Sequence, residues 1–358
     1  MSGDAEKSPS HPESRLRADS LLVGVVAILF VTVFQRGIGF ARNLLLCRYL
    51  DDTELGRWSL ALSALMFLAP LVVLGLPGTF GRYVEAFRRE GQLRRFIWQT
   101  AAICLAVGMT AALGLWLFRG HASYLLFNDA TYGDLVAVVA GALLVVAAAN
   151  FVSELLMALC LGRLLSVLQL ASSFTFAAVA LGGVAWFDGG AEAVVWGYAS
   201  GSAVVALVGG YVLARYGRTM FEEAVQRRPR RIWRAIVPFA WWMWVTNLVA
   251  NLYESIDRLM LVHWAPSSGM PEALVGQYHA ALVVPAMLVA VAGMLAGVLL
   301  PYLSADWEEG GWERLAERMN QTVRWGAVGL TAAGIAVLAG SGWLFDGLLR
   351  GKYDQGLA

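Results

Sequence analysis

The chain has 358 residues, 58% of them hydrophobic and only 15% charged, with a formal net charge of +1 and a mean hydropathy of +0.61. A soluble domain carries about 25% charged residues, so this chain has too few charges to coat the one or two soluble domains its length would make. The composition excludes a soluble enzyme or binding module and predicts an all-α, polytopic integral membrane protein.

Met1 to Ser20 are polar and carry Lys7, Arg15 and Arg17, which reads as a disordered cytoplasmic tail (residues 1–20). The apolar run from Leu21 to about Leu50 is too long for a signal peptide and reads as a first spanning helix. About 20 apolar residues cross the hydrocarbon core as a helix. Nine stretches qualify, roughly 21–48, 58–80, 97–118, 135–161, 164–187, 194–214, 236–264, 277–301 and 325–346. Their connections are short. A membrane-embedded glycosyltransferase or polymerase, which needs a sizeable polar catalytic region, is therefore disfavoured.

Lys and Arg set the orientation. With the N-terminus inside, the inner connections hold Arg82, Arg88, Arg89, Arg94, Arg95, Arg163, Arg215, Arg218, Arg227, Arg228, Arg230, Arg231, Arg234, Arg314, Arg318 and Arg324. The opposite side holds Arg57, Arg119, Arg350 and Lys352. Leu348 to Tyr353 read as a short loop leading into another helix, so a truncated protein is expected.

An internal repeat is visible. Gly56-Arg57-Trp58-Ser59-Leu60-Ala61 opens the second stretch, and Gly276-Gln277-Tyr278-His279-Ala280-Ala281 opens the eighth, 220 positions later. At the same offset Gly81-Arg82-Tyr83 aligns with Pro301-Tyr302-Leu303. Six stretches separate the copies, which gives them the same orientation and makes the repeat parallel. Residues 21–214 then form a six-helix N-terminal lobe, 215–235 a basic cytoplasmic linker, and 236–358 an incomplete C-terminal lobe of about three helices.

Ionisable residues inside a span are costly and read as functional by default. The first stretch carries Gln35, Arg36, Arg42 and Asn43, with Gly37 and Gly39 between them. Seven residues make about two turns, so Arg36 and Asn43 share one face and Gln35 and Arg42 another. Two arginines so placed can hold a phosphate or diphosphate by bidentate hydrogen bonds; the alternative is snorkelling to the headgroups, which suits Arg48 better than Arg36. The seventh stretch carries Asn247, Asn251, Glu254, Asp257 and Arg258, in which 247, 251, 254 and 258 form one polar stripe and Glu254 can pair with Arg258. That stripe reads either as a structural ion pair or as a cavity wall. Asn150 and Glu154 share a face of the fourth stretch, where Glu154 is a candidate for ion coupling or an interhelical hydrogen bond. Pro70, Pro77, Pro238, Pro285 and Pro301 mark bends, and Trp241, Trp242 and Trp244 suit an interfacial belt.

Cys47, Cys104 and Cys160 lie in apolar stretches and read as small core residues; the four histidines, His279 among them, read as surface or boundary residues. Asp51-Asp52 suggests metal-dependent sugar chemistry only faintly and reads better as a solvated turn. No phosphate loop, nucleophile elbow or metal-ligand motif occurs. No cofactor, metal or nucleic acid enters the reading.

Phe34-Gln35-Arg36-Gly37-Ile38-Gly39-Phe40-Ala41-Arg42 resembles the first helix of lipid II flippases. Leu55-Gly56-Arg57-Trp58, Pro238, Asp257-Arg258, Gly276-Gln277-Tyr278 and Pro301 resemble the marks of polysaccharide-repeat flippases. Both belong to the multidrug/oligosaccharidyl-lipid/polysaccharide exporter superfamily. The resemblance implies two six-helix lobes around a central cavity, alternating access, and basic residues holding the diphosphate of an undecaprenyl-linked oligosaccharide. It implies that Arg36 and Arg42, with Asn43 beside them, bind that group, and that Glu254, Asp257 and Arg258 line the other lobe's side. The partners are the lipid-linked oligosaccharide, membrane lipids, and the glycosyltransferases and polymerase of the same pathway; no bond is made or broken by the protein itself. The alternative within the superfamily is a cation-coupled multidrug antiporter, which needs an acidic cavity.

Overall fold

The computed structural model describes residues 12–220, 232–264, 270–308 and 310–343. Among them the chain is helical, and no strand occurs. In chain order the helices are α1 (Pro12–Tyr49), α2 (Asp52–Val72), α3 (Phe80–Arg89), α4 (Leu93–Leu117), α5 (Arg119–Phe127) and α6 (Gly133–Ala158). There follow α7 (Gly162–Phe187), α8 (Ala191–Val204), α9 (Gly210–Met220), α10 (Ile232–Trp264), α11 (Pro271–Glu308) and α12 (Trp312–Trp343). A π-helical turn, Val205–Gly209, joins α8 to α9 in one rod.

Counting that rod once, the described part of each of the nine apolar stretches lies mainly on one long helix, while α3 and α5 are short connectors. Among the described residues seven helices are long and apolar enough to cross a membrane. The other two, α1 at 38 residues and α10 at 33, exceed the crossing length and are the two that carry the polar clusters. The protein is a polytopic all-α membrane protein. Helix α1 already begins at Pro12, within the segment expected to be a tail. The linker residues 221–231 and the stretch 348–353 lie outside the described residues.

Both boundaries of the second stretch differ from the expectation, and α11 and α12 begin earlier than the apolar stretches they carry. The second stretch was expected at 58–80, but α2 runs from 52 to 72. It starts early because Asp51 is its N-cap, the side chain accepting from the Glu54 amide at 2.9 Å, with Asp52 and Glu54 favoured in the first turn by the helix dipole. Asp51 and Asp52 are thus helix-start residues; Asp52 Oδ1 accepts from the Thr53 amide at 3.0 Å. Helix α2 stops early because Leu74 and Gly75 take left-handed φ values of 53° and 64°. Gly75 packs so tightly on α10 that a Cβ there would stand 2.7 Å from the Trp244 amide nitrogen. The Trp244 indole N–H donates to the Leu71 carbonyl at 3.2 Å, satisfying an oxygen that the helix end leaves free. Trp244 therefore does more than sit in an aromatic belt. The apolar run continues to 80 only because Phe80, at the start of α3, is fully buried.

Helix α2 is the central rod, with eleven of its 21 residues buried, among them Leu55, Trp58, Leu60 and Leu65. Lipid is as apolar as leucine, so close packing rather than solvent exclusion must hold such a bundle together. The tightest example is the crossing of α2 and α11. A Cβ on Gly56 would overlap the Glu272 carbonyl, and a Cβ on Gly276 would overlap the Asp52 carbonyl. Each residue of that reciprocal contact lies 220 positions from its counterpart. One turn along, Ser59 Oγ and His279 Nδ1 meet at 3.1 Å, again at the same offset. The contact is reciprocal, each helix setting its glycine against a carbonyl of the other.

Candidate functional site

Helix α1 packs on α7 along one side and on α11 along another. Between α1 and α11 lies a cavity of about 170 Å³, lined by Arg36, Gly39, Phe40, Arg42 and Asn43, with Val283, Ala286, Met287 and Ala290 opposite. At roughly 30 Å³ per water, that is space for about six waters. The α11 wall follows i, i+3, i+4, i+7 spacing, and so does the set 36, 39, 40 and 43 on α1: two helical faces meet. Arg42 lies off that face, yet its long side chain reaches the cavity, so residues expected on separate faces come together. The charged residues of the lining are Arg36 and Arg42, and no acid is among them.

Arg36 is exposed, whereas Arg42 is half-buried. The Arg42 guanidinium lies over the Phe176 ring at 3.7 Å, and its Nη2 donates to Asn43 Oδ1 at 3.3 Å. Its Nε is buried and has no hydrogen-bond partner among the described residues. Such a group costs free energy until an acceptor arrives. The cavity therefore offers positive charge, as an anion requires, while a buried Nε without a partner among the described residues also occurs in Arg57 and Arg258.

The candidates on α10 lie elsewhere. Arg258 does not pair with the Glu254 carboxylate: its Nη1 donates to the Glu254 backbone carbonyl at 3.0 Å and to Ser63 Oγ on α2 at 3.1 Å. The i, i+4 spacing lets the guanidinium reach either group; it turns inward, bonding the serine seam of α2 through Nη1 and leaving its buried Nε without a partner among the described residues, while Glu254 stays exposed. Ser63 passes the contact on, donating to the Ser59 carbonyl at 2.9 Å. Asp257 is exposed and accepts from the Tyr278 hydroxyl at 2.9 Å, and Asn251 bonds back to the Asn247 carbonyl at 2.7 Å. Glu154 is exposed on α6 and does not line the cavity.

Three residue types were misjudged from sequence. His279, expected at a boundary, lies in the α2–α11 seam against Ser59. Cys160, expected in the core, is exposed at the end of α6 with a φ of 59°, whereas Cys47 and Cys104 are buried. The aromatic group around Arg42 went unnoticed: Trp58, Phe176 and Tyr198, from α2, α7 and α8. Its signal was available, since Gly197-Tyr198-Ala199-Ser200-Gly201 places two glycines one turn apart around Tyr198, the spacing that lets membrane helices touch.

A bundle of long apolar helices with short connections defines a multi-pass membrane protein, and the cavity in its α1–α11 seam is basic. A family model described as "Polysaccharide biosynthesis protein" matches residues 21–307, which span α1 to α11, and the chain belongs to that family. No curated protein matches the chain.

Proposed function

We propose that the protein is a flippase that carries an undecaprenyl-diphosphate-linked oligosaccharide across the bacterial inner membrane for cell-surface polysaccharide assembly. One observation carries this reading: the cavity between α1 and α11 has Arg36 and Arg42 as its charged lining and holds no acid. An anionic headgroup is attracted there, whereas a cationic drug is repelled. Planar guanidinium groups match phosphate oxygens two at a time, and Asn43 adds an amide. The opposite wall of Val283, Ala286, Met287 and Ala290 suits the first isoprenoid units of the carrier. The low surrounding dielectric strengthens each charge-assisted hydrogen bond relative to water. In this reading the N-terminus faces the cytoplasm, the headgroup is taken up from the inner leaflet, and no bond is made or broken.

The test is genetic and biochemical together. In a strain whose surface polysaccharide depends on this protein, Arg42→Ala should reduce surface polymer at least about tenfold, the loss of one charged hydrogen bond being worth about 1.5–3 kcal/mol. Arg36→Ala should follow it, and the lipid-linked intermediate should accumulate on the cytoplasmic side. Normal surface polymer in the double variant would sink the proposal.

A further inference from the structure

Arg42 reaches from α1 to α7, where its face rests on Phe176. Phe176 is itself gripped edge-on. Its ring centre lies 5.8 Å from that of Trp58 and 5.4 Å from that of Tyr198, at interplanar angles of 62° and 66°. Trp58 and Tyr198 close the triangle at 6.2 Å. These are the edge-to-face arrangements that aromatic quadrupoles favour. Phe176 and Trp58 are buried, so the triangle is fixed by packing from three helices. Two glycines of α8 make the seat. A Cβ on Gly201 would stand 2.7 Å from the Ser172 carbonyl and 3.1 Å from Phe176 Cβ, and one on Gly197 would stand 2.7 Å from Ala180 Cβ.

The stack occupies only the face of the guanidinium. Its five N–H donors lie in the plane; Nη2 is engaged by Asn43 and Nε is buried without a partner among the described residues, so it is the Nη edge that a ligand in the cavity meets. We infer that Phe176 is a positioning residue: the Trp58–Phe176–Tyr198 triangle sets the plane of Arg42 so that its edge donors meet a diphosphate in the α1–α11 cavity. This rests on the reading of that cavity as a diphosphate site. A free arginine would lose its rotamer freedom when ligand binds, whereas a stacked one has lost it already on folding.

The experiment measures binding of undecaprenyl diphosphate to the full chain in nanodiscs, with 4-fluoro-, 3,5-difluoro- and 3,4,5-trifluorophenylalanine at position 176. Fluorination drains negative charge from the ring face and so weakens a cation held there, while the thermal midpoint of each protein reports any loosening of the edge contacts to Trp58 and Tyr198. Affinity should fall stepwise, to about one-tenth in the trifluoro protein, with an unchanged thermal midpoint. Phe176→Tyr should stay within about twofold and Phe176→Leu should match the trifluoro loss. Arg42→Ala is the reference arm. If it loses binding while the fluorine series is flat, Phe176 is ordinary packing and the inference falls, leaving the cavity reading intact. If Arg42→Ala binds normally, the cavity reading falls and the inference with it.

Discussion

At the scale of single residues, polar side chains in this bundle chiefly satisfy backbone and one another. Glu54 shows the economy. One carboxylate oxygen accepts from the Ala191 amide at the start of α8 at 2.7 Å, and the other pairs with Arg57, whose Nη2 donates to the Tyr132 hydroxyl at 2.6 Å. A negative charge on a helix N-terminus is favourable twice over, as acceptor and against the dipole. Glu54→Ala should therefore cost about 1–2 kcal/mol of unfolding stability in detergent, discounted from a buried pair because both partners are about a quarter exposed. Glu54→Gln, which keeps an acceptor without the charge, should lose about half of that. Equal stability of all three proteins would remove Glu54 from the account. Arg36, Arg42 and Asn43 were legible in the sequence because charge within an apolar run announces itself. The partners of Arg42 were not, because aromatic residues are frequent in any membrane helix and only the fold selects Phe176 from the rest.

At the scale of helices, the decisive device is the glycine crossing of α2 and α11. With a hydrogen at each Cα the backbones touch; with a methyl at either, the methyl would overlap a carbonyl oxygen of the facing helix. Backbone cannot step aside as a flexible side chain can, so Gly56→Ala and Gly276→Ala should each destabilise the protein by about 2–3 kcal/mol, the upper range for overpacking. Gly81→Ala, within α3 where a Cβ meets nothing within 4 Å, is the control and should leave stability unchanged or raise it by up to about 1 kcal/mol. The measurement is a thermal melt in detergent, and an unshifted midpoint for Gly276→Ala would show that the two helices do not cross there. The offset of 220 residues is readable in the sequence, and the α2–α11 crossing brings residues so related into reciprocal contact. The end of α2 was not readable, because periodicity does not distinguish a buried Phe80 after a left-handed turn from one more turn of helix. Nor was the inward turn of Arg258, since i, i+4 spacing says which groups are near without saying which will bond.

At the scale of the molecule, the two ends of the bundle differ in charge, and this predicts how it sits. Arg82, Arg88, Arg89, Arg94, Arg95 and Arg163 cluster where α2, α4, α6 and α7 meet one side, while Asp51, Glu54, Asp129, Asp134, Asp188 and Glu192 gather at the other. Positive residues are retained on the cytoplasmic side, so the arginine end should face inward. Exposed Cys160 stands at that end, between α6 and α7, and serves as a native reporter because Cys47 and Cys104 are buried. Its counterpart is made by placing Glu192→Cys, in the exposed first turn of α8, on a Cys160→Ser background. An impermeant maleimide should label the Glu192→Cys protein in intact cells and should label native Cys160 only after the membrane is opened. The reversed pattern would invert the molecule and place the approach to Arg36 and Arg42 from the wrong leaflet for a cargo assembled in the cytoplasm. The orientation and the proposed direction of transport therefore stand or fall on the same labelling pair, which needs no knowledge of the sugar.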